Sequence, residues 1–180
     1  MDVFSTAARK VGADVVICAD IDEAYRYITE NSGGTILLPE QASLERSGLS
    51  ERLQQREATL CTFDKSEAEA AAAGVTGANF AIAETGSIAL ESTDEQVRLA
   101  TTLPERHFVL LDPTKIVADG QAAIPYVRQL HENSPRNYLA YITGPSRTAD
   151  IERVLTIGVH GPKELHILLL ENLSADFLES

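Results

Sequence analysis

Cysteine is scarce in this 180-residue chain, which holds only Cys18 and Cys61. The two are far apart, form no CxxC pair, and each lies in an apolar run, which predicts small buried thiols. The cysteines of this chain alone therefore cannot hold an iron–sulfur cluster or a structural zinc ion. Residues 1–10 also lack the apolar core of a secretion signal. Together these absences favour a reducing, cytoplasmic location.

Basic residues and long apolar runs are scarce too. The chain has 15 lysine and arginine residues and 27 aspartate and glutamate residues, which gives a formal net charge of −12 at pH 7. Because nucleic acid binding depends on Lys and Arg contacts to phosphates, this balance argues against nucleic acid as the main partner. No stretch approaches the ~20 apolar residues of a membrane-spanning helix, so no membrane span is expected. The composition is that of a globular protein, and the length fits one domain over residues 1–180.

Short apolar runs alternate along the chain with amphipathic segments, a pattern typical of α/β proteins. Predicted strands cover residues 13–18, 35–38, 58–63, 107–111, 138–142 and 165–170. Predicted helices cover residues 22–28, 44–56, 68–73, 95–103, 122–131 and 149–155, with Gly74 closing the third in a left-handed conformation. Two alternating runs on either side of Thr85-Gly86 predict a β-hairpin. We therefore expect a single α/β domain, with a mostly parallel sheet flanked by helices and a hairpin insertion.

The first candidate site is the Gly-Pro turn that joins a predicted strand to a predicted helix after residue 142. Backbone N–H groups and hydroxyls at the start of a helix, just beyond a strand end, favour an anion such as a phosphate. A guanidinium there would add a charge-assisted contact. The alternative is structural, with Thr148 capping the helix and Asp150 complementing its dipole. The binding hypothesis involves Thr143, Gly144, Ser146, Arg147, Thr148 and Asp150.

The second candidate site is the loop and hairpin from Gly77 to Ser87. Glycines there let the backbone approach a ligand closely. Glu84 ends an otherwise small and apolar strand, where a carboxylate can act as a nucleophile or general base. The alternative is that Glu84 only flanks a solvated turn. The ligand-binding residues of this hypothesis are Gly77, Asn79, Thr85, Gly86 and Ser87.

Histidine offers a third candidate. His160 lies between glycines and next to a proline, which indicates a fixed loop near the Gly-Pro turn and a ligand contact. A capping or merely exposed histidine is the alternative interpretation. The other histidines, His107, His131 and His166, show no metal-ligand spacing, so no metal site is predicted. The GxSxG pattern of serine hydrolases is absent as well.

Two of these segments resemble a known family. The run from Thr76 to Ile88 (TGANFAIAETGSI), followed by Leu99-Ala100 and Leu103-Pro104, resembles the signature of the LUD domain family. The run 144–152, continued by 158–162, is similar to that family's C-terminal signature. The likeness is closer to its lactate utilization protein C group and covers roughly residues 13–171. The chain is expected to lack the longer helical N-terminal lead of many members.

The resemblance implies a cytoplasmic bacterial protein that is needed for the oxidation of L-lactate to pyruvate. It would carry no redox cofactor of its own and act with iron–sulfur partner proteins. The resemblance also implies the fold of ribose-phosphate isomerases, glucosamine-phosphate deaminases and CoA transferases, which bind phosphorylated ligands or CoA between strand ends. The alternative is therefore a CoA-transferase-like enzyme, or a module that binds phosphate, CoA or a nucleotide through Glu84 and the 143–148 turn. Whether the chain is itself an enzyme stays open.

Overall fold

Two β-sheets and the helices around them make up the fold in this computed structural model, which describes residues 1–56, 58–134, 136–149, 155–158 and 160–179. Side chains of residues 148, 149 and 155–157 are outside that description. The helices are α1 (Asp2–Lys10), α2 (Ile21–Asn31), α3 (Ala42–Arg46), α4 (Leu49–Gln55), α5 (Lys65–Ala70), α6 (Glu95–Thr102) and α7 (Gly120–Asn133). The strands are β1 (Asp14–Cys18), β2 (Ile36–Leu37), β3 (Ala73–Gly77), β4 (Phe80–Ile82), β5 (Ser87–Glu91), β6 (Arg106–Leu111), β7 (Ile116–Val117), β8 (Leu139–Ile142), β9 (Arg147–Ala149), β10 (Leu155–Ile157) and β11 (Glu164–Leu170).

The main sheet has five strands in the order β1-β11-β6-β3-β2, and every pairing in it is parallel. In its register Val15 lies opposite Ile167, and Ile167 lies opposite Val109. The central strands β6 and β11 contain the apolar runs 108–111 and 167–170 because both faces of the sheet are covered. This confirms the predicted α/β class with a mostly parallel sheet.

A second sheet of four strands, in the order β7-β4-β5-β8, packs against one face of the first. Strands β4 and β5 pair antiparallel around the turn at Thr85-Gly86, which confirms the predicted hairpin. Strand β8 pairs with β5 and not with the parallel strands. The short strand β7 pairs with β4. The hairpin is therefore the centre of a separate layer.

The two faces of the main sheet bury different partners. On one face, Phe108 and Leu168 pack against helices α2 and α4 through residues such as Tyr25. On the other face, Val109 packs toward the second sheet and helix α1, whose Phe4 is fully buried. Helix α7 covers the far side of the second sheet. Burial of this apolar surface supplies the main stabilisation of the layered fold.

The predicted helix 149–155 is wrong at both of its ends. Ala149 ends the strand Arg147–Ala149 and Leu155 begins the strand Leu155–Ile157, and the two strands pair antiparallel, while residues 150–154 lie outside the described residues. The β-branched residues Thr148, Thr156 and Ile157 favour extended backbone over helix. No helix therefore starts in the turn after residue 142, and the expected positive end of a helix dipole is missing from that position.

Three other boundaries also differ from the sequence prediction. The alanine-rich helix ends at Ala70, and Gly74 lies inside β3, where a β-carbon would lie 1.8 Å from the Ala100 carbonyl oxygen of α6. Gly74 is required by close packing and not as a helix cap. Gly48, in a left-handed conformation with φ 64°, divides the predicted helix 44–56 into α3 and α4. Of the predicted strand 58–63, only Leu60 forms a β-bridge, with Ile36.

Candidate functional site

A cavity of about 300 Å³ lies beside the amino ends of β6 and β11, where the chain leaves β8. Its lining includes four residues from the sequence hypotheses, namely Thr143, Gly144, Ser146 and His160. Buried His107 of the main sheet also lines it. The structure thus brings the Gly-Pro turn and the His160 loop together in one place, at the small end of the volume range of ligand pockets.

The turn that forms one wall of this cavity is fixed by hydrogen bonds to the His160 loop. The backbone N–H of Ser146 donates to the Pro162 carbonyl at 2.9 Å, and its hydroxyl donates to the His160 carbonyl at 3.0 Å. Gly144 has φ 76°, and a β-carbon there would lie 2.3 Å from the Val11 carbonyl oxygen. A side chain at that position would therefore push the turn away from the end of α1.

Arg147, another residue of the first hypothesis, does not line the cavity. The Arg147 guanidinium donates a hydrogen bond to the Val11 carbonyl and also lies against Gly12. This hydrogen bond holds the end of α1 against the turn. Thr148 belongs to strand β9, and its side chain, like the whole of Asp150, lies outside the described residues.

A chain of hydroxyls connects the hairpin to the same turn. The Ser87 hydroxyl lies 2.7 Å from that of Thr85 and 2.7 Å from that of Thr143. Gly86 at the hairpin tip, with φ 67°, abuts the backbone of α1, where a β-carbon would lie 2.3 Å from the Ala8 nitrogen. The two sequence candidates are therefore neighbours in space, although 56 residues separate Ser87 from Thr143.

Glu84 is exposed at the hairpin tip. Its backbone N–H donates to the Ala118 carbonyl at 3.0 Å, and its side chain does not line the cavity. The apolar surroundings expected for a nucleophilic or basic carboxylate are therefore absent at this position. The interpretation of Glu84 as a residue flanking a solvated turn fits its exposure better.

Gly77 is the last residue of β3 and Asn79 follows it shortly after, at the opposite edge of the main sheet from the cavity. The Gly77 N–H donates to Gln41 Oε1 at 2.9 Å. The Asn79 side chain is buried, accepts from the Glu91 N–H at 2.6 Å and donates to the Phe177 carbonyl at 2.8 Å. Their hydrogen bonds hold loops together at a site that is separate from the cavity.

His107 is a polar residue of the cavity that sequence reasoning missed. It is 1% exposed, and its Nε2 lies 2.8 Å from the Thr76 hydroxyl. Its Nδ1 finds no partner among the residues that the structure describes. Burial lowers the pKa of His107 to about 3, and nearby His166 adds to the shift, so the imidazole is neutral at physiological pH. The apolar sequence around His107 predicts an ordinary buried strand and does not indicate that the imidazole lines a cavity.

A buried ion pair at the carboxyl edge of the main sheet was also missed. Lys115, which follows β6, pairs with Glu179, and their side chains are 2% and 5% exposed. In the sequence the two residues are 64 positions apart, so no local motif marks them. Among the described residues, no three His, Cys, Asp or Glu side chains are grouped so that they could hold a metal ion. Within the same residues, no helix is both long and apolar enough to cross a bilayer.

Comparison with known proteins agrees with the resemblance found in the sequence. Over 156 residues the chain is 33% identical to lactate utilization protein C of Anoxybacillus flavithermus, covering 83% of this chain and 70% of that protein. It is 33% identical over 161 residues to the uncharacterized protein YkgG of Escherichia coli K12, covering 84% and 69% of the two chains.

A solved structure has the same fold. The crystal structure of a DUF162 family protein from Deinococcus radiodurans matches with a TM-score of 0.66 and 19% identity, covering 93% of this chain and 94% of that one. The family model of the LUD domain matches residues 1–170. The chain therefore belongs to the LUD domain family.

Proposed function

We propose that this LUD domain protein is a cytoplasmic component of a bacterial system that oxidises L-lactate to pyruvate. It acts with iron–sulfur partner proteins and carries no redox cofactor of its own. The observation that carries the proposal is the 33% identity, along 83% of this chain, to a protein named lactate utilization protein C. The shared fold alone would not support it, because one fold serves many functions.

The state of the two cysteines supports the absence of a cluster in this chain. Cys18 is buried in the main core, and burial raises the pKa of its thiol to about 11. Burial also raises the pKa of the Cys61 thiol. Iron–sulfur clusters are held by thiolates, which form more readily where the thiol pKa is lowered. Electrons from lactate would therefore pass through the partner proteins.

The cavity is the proposed ligand site. None of its described lining residues is a lysine, arginine, aspartate or glutamate. Its polar groups are hydroxyls, such as those of Thr143 and Ser146, the neutral imidazole of His107 and the ring of His160. Such groups both donate and accept hydrogen bonds, which suits a small molecule that carries hydroxyl or carbonyl oxygens. Ser146 is fixed by its bonds to the His160 loop, so this wall is preorganised.

The CoA-transferase-like alternative draws less support from the geometry. Glu84 is exposed, and the Arg147 guanidinium is bonded to the Val11 carbonyl. The 143–148 turn leads into strand β9 and offers no helix N-terminus to a phosphate. A phosphate-bearing ligand would need donors from elsewhere in the chain.

Reconstitution tests the proposal. The iron–sulfur partner proteins are purified and L-lactate-dependent reduction of a dye is measured with and without this chain. We expect full activity only when the chain is present, and an equal rate without it refutes the proposal. The same assay compares His160→Gln, a substitution in the cavity lining, with His131→Gln, a substitution at an exposed position of α7. Only the first should lower the rate, and equal effects would remove the cavity from the proposal.

A further inference from the structure

The buried ion pair at the carboxyl edge of the main sheet is held by further hydrogen bonds on both of its partners. Lys115 Nζ donates to the Ala78 carbonyl at 3.1 Å as well as to Glu179 Oε1. The backbone N–H of Ser43 donates to the other Glu179 oxygen, Oε2, at 3.0 Å. Both oxygens of one carboxylate are thus bound at a place where α/β proteins commonly bind their ligands, the ends of the parallel strands.

One polar group beside Glu179, the side-chain hydroxyl of Ser43, takes no part in binding its carboxylate. The Ser43 hydroxyl belongs to a residue that is 1% exposed, and it finds no partner among the described residues. It lies against Gly77, where a β-carbon would be 2.4 Å from the Ser43 hydroxyl and 3.3 Å from Glu179 Oε2. The absence of a side chain at Gly77 lets the Ser43 hydroxyl and the Glu179 carboxylate lie directly against its backbone. A buried hydroxyl without a partner carries a desolvation cost that a ligand oxygen would remove.

The carboxylate is supplied by residues 171–179, which form neither helix nor strand. The segment is attached by side-chain contacts, including Ser174 N–H to Asp112 Oδ2 at 3.2 Å and the stacking of Phe177 on Tyr126 with ring centroids 3.8 Å apart. Among the described residues, no backbone-to-backbone hydrogen bond joins this segment to the sheet. Segments held in this way open locally at lower free energy than strands or helices of the core.

We propose that Lys115, Ser43 and Gly77 form a binding site for a small carboxylate, and that Glu179 is its internal, displaceable occupant. A ligand carboxylate takes over the bonds from Lys115 and the Ser43 N–H, and a ligand hydroxyl or carbonyl oxygen next to it bonds the Ser43 hydroxyl. Residues 171–179 then leave the carboxyl edge of the sheet. The ligand class is therefore a short 2-hydroxy or 2-oxo acid, for which Glu179 marks the carboxylate position.

This site is distinct from the cavity, which lies at the amino edge of the same sheet. The proposal needs no partner protein, so it can fail while the role in lactate oxidation holds, and the reverse is also possible. Both are tested with the full chain.

Hydrogen–deuterium exchange of the full-length protein tests displacement of the segment. Exchange in residues 171–179 is followed during titration with sodium acetate, L-lactate, pyruvate or phosphate, against sodium chloride at equal ionic strength. We expect exchange to rise saturably with the carboxylates, and at lower concentrations with lactate or pyruvate than with acetate. A response no larger than that to chloride overturns the proposal, and a response to phosphate alone overturns the assigned ligand class.

Two variants separate a ligand site from a structural ion pair. Glu179→Gln removes the competing charge, so we expect L-lactate to bind about tenfold more tightly than to the wild type in a thermal-shift titration. Ser43→Ala should fold normally and weaken lactate binding by about 2- to 10-fold, the contribution of one hydrogen bond. The matched control is Ser5→Ala in α1, another buried hydroxyl without a described partner. Equal lactate affinity in all these proteins overturns the proposal.

Discussion

The buried imidazole of His107 should make the stability of this protein depend on pH below neutrality. In the folded protein burial holds the pKa of His107 at about 3, whereas the unfolded chain takes up the proton near 6.5. The unfolded state therefore binds more protons between these two values. The contribution of His107 to stability is complete above pH 6.5 and is lost progressively as the pH falls toward 3.

The size of the effect follows from the pKa difference. Each pH unit below 6.5 lowers the free energy of unfolding by about 1.4 kcal/mol through this one residue. By pH 5 the loss reaches about 2 kcal/mol, a large fraction of the stability of a typical domain. The residue is 1% exposed, and no described side chain accepts a hydrogen bond from Nδ1, so no described carboxylate stabilises the added charge.

Urea unfolding at pH 8, 7, 6 and 5 measures this dependence in the wild type and in His107→Gln. The variant keeps a polar group for the Thr76 hydroxyl but removes the titration. We expect it to be less stable than the wild type at pH 8 and to approach it by about 2 kcal/mol at pH 5. Exposed His131→Gln is the control and should follow the wild type at every pH. Parallel curves for His107→Gln and the wild type would refute the reasoning.

Three further substitutions have definite expected results. Gly74→Ala places a β-carbon 1.8 Å from the Ala100 carbonyl oxygen, so it should lower the free energy of unfolding in urea, by about 3 kcal/mol or more. Arg147→Ala loses the hydrogen bond to Val11 and should cost about 1 kcal/mol in the same assay, and no measurable cost would show that this bond does not hold α1. Glu84→Gln should leave the rate of reconstituted lactate oxidation unchanged, whereas a loss above about tenfold would restore Glu84 as a catalytic residue.

Four of the five strands of the main sheet were predicted from the sequence, whereas β3 lies where a helix end and a loop were expected. Strands β6 and β11 contain continuous apolar runs bounded by turn residues. This pattern is typical of strands that are buried on both faces of a parallel sheet. The hairpin followed from alternation around Thr85-Gly86. Helix starts were marked by aspartates, such as Asp64, whose carboxylate accepts the Ser66 N–H. Each of these signals lies within a short stretch of sequence, so it can be recognised without knowledge of the fold.

Features that depend on the packing of distant segments were not predictable in this way. The turn after Ile142 was expected to begin a helix, yet it continues into strand β9, and the end of α1 takes up the Arg147 side chain. Helix α1 itself was not predicted. The neutral state of His107 depends on the layers that cover it, since its neighbours in sequence are those of an ordinary strand. Nothing local to Lys115 indicates that Glu179 will bind it.

The net charge of −12 bears differently on the two edges of the main sheet. A small carboxylate approaching the protein is repelled overall, but at physiological salt this repulsion is screened beyond about 8 Å. At short range the described lining of the cavity at the amino edge holds no lysine or arginine, whereas the carboxyl edge holds the buried ammonium of Lys115. Because a buried charge is screened much less than an exposed one, Lys115 can hold an anion despite the acidic surface once Glu179 has left it. An anionic ligand is therefore better matched to the carboxyl edge, and an uncharged one to the cavity.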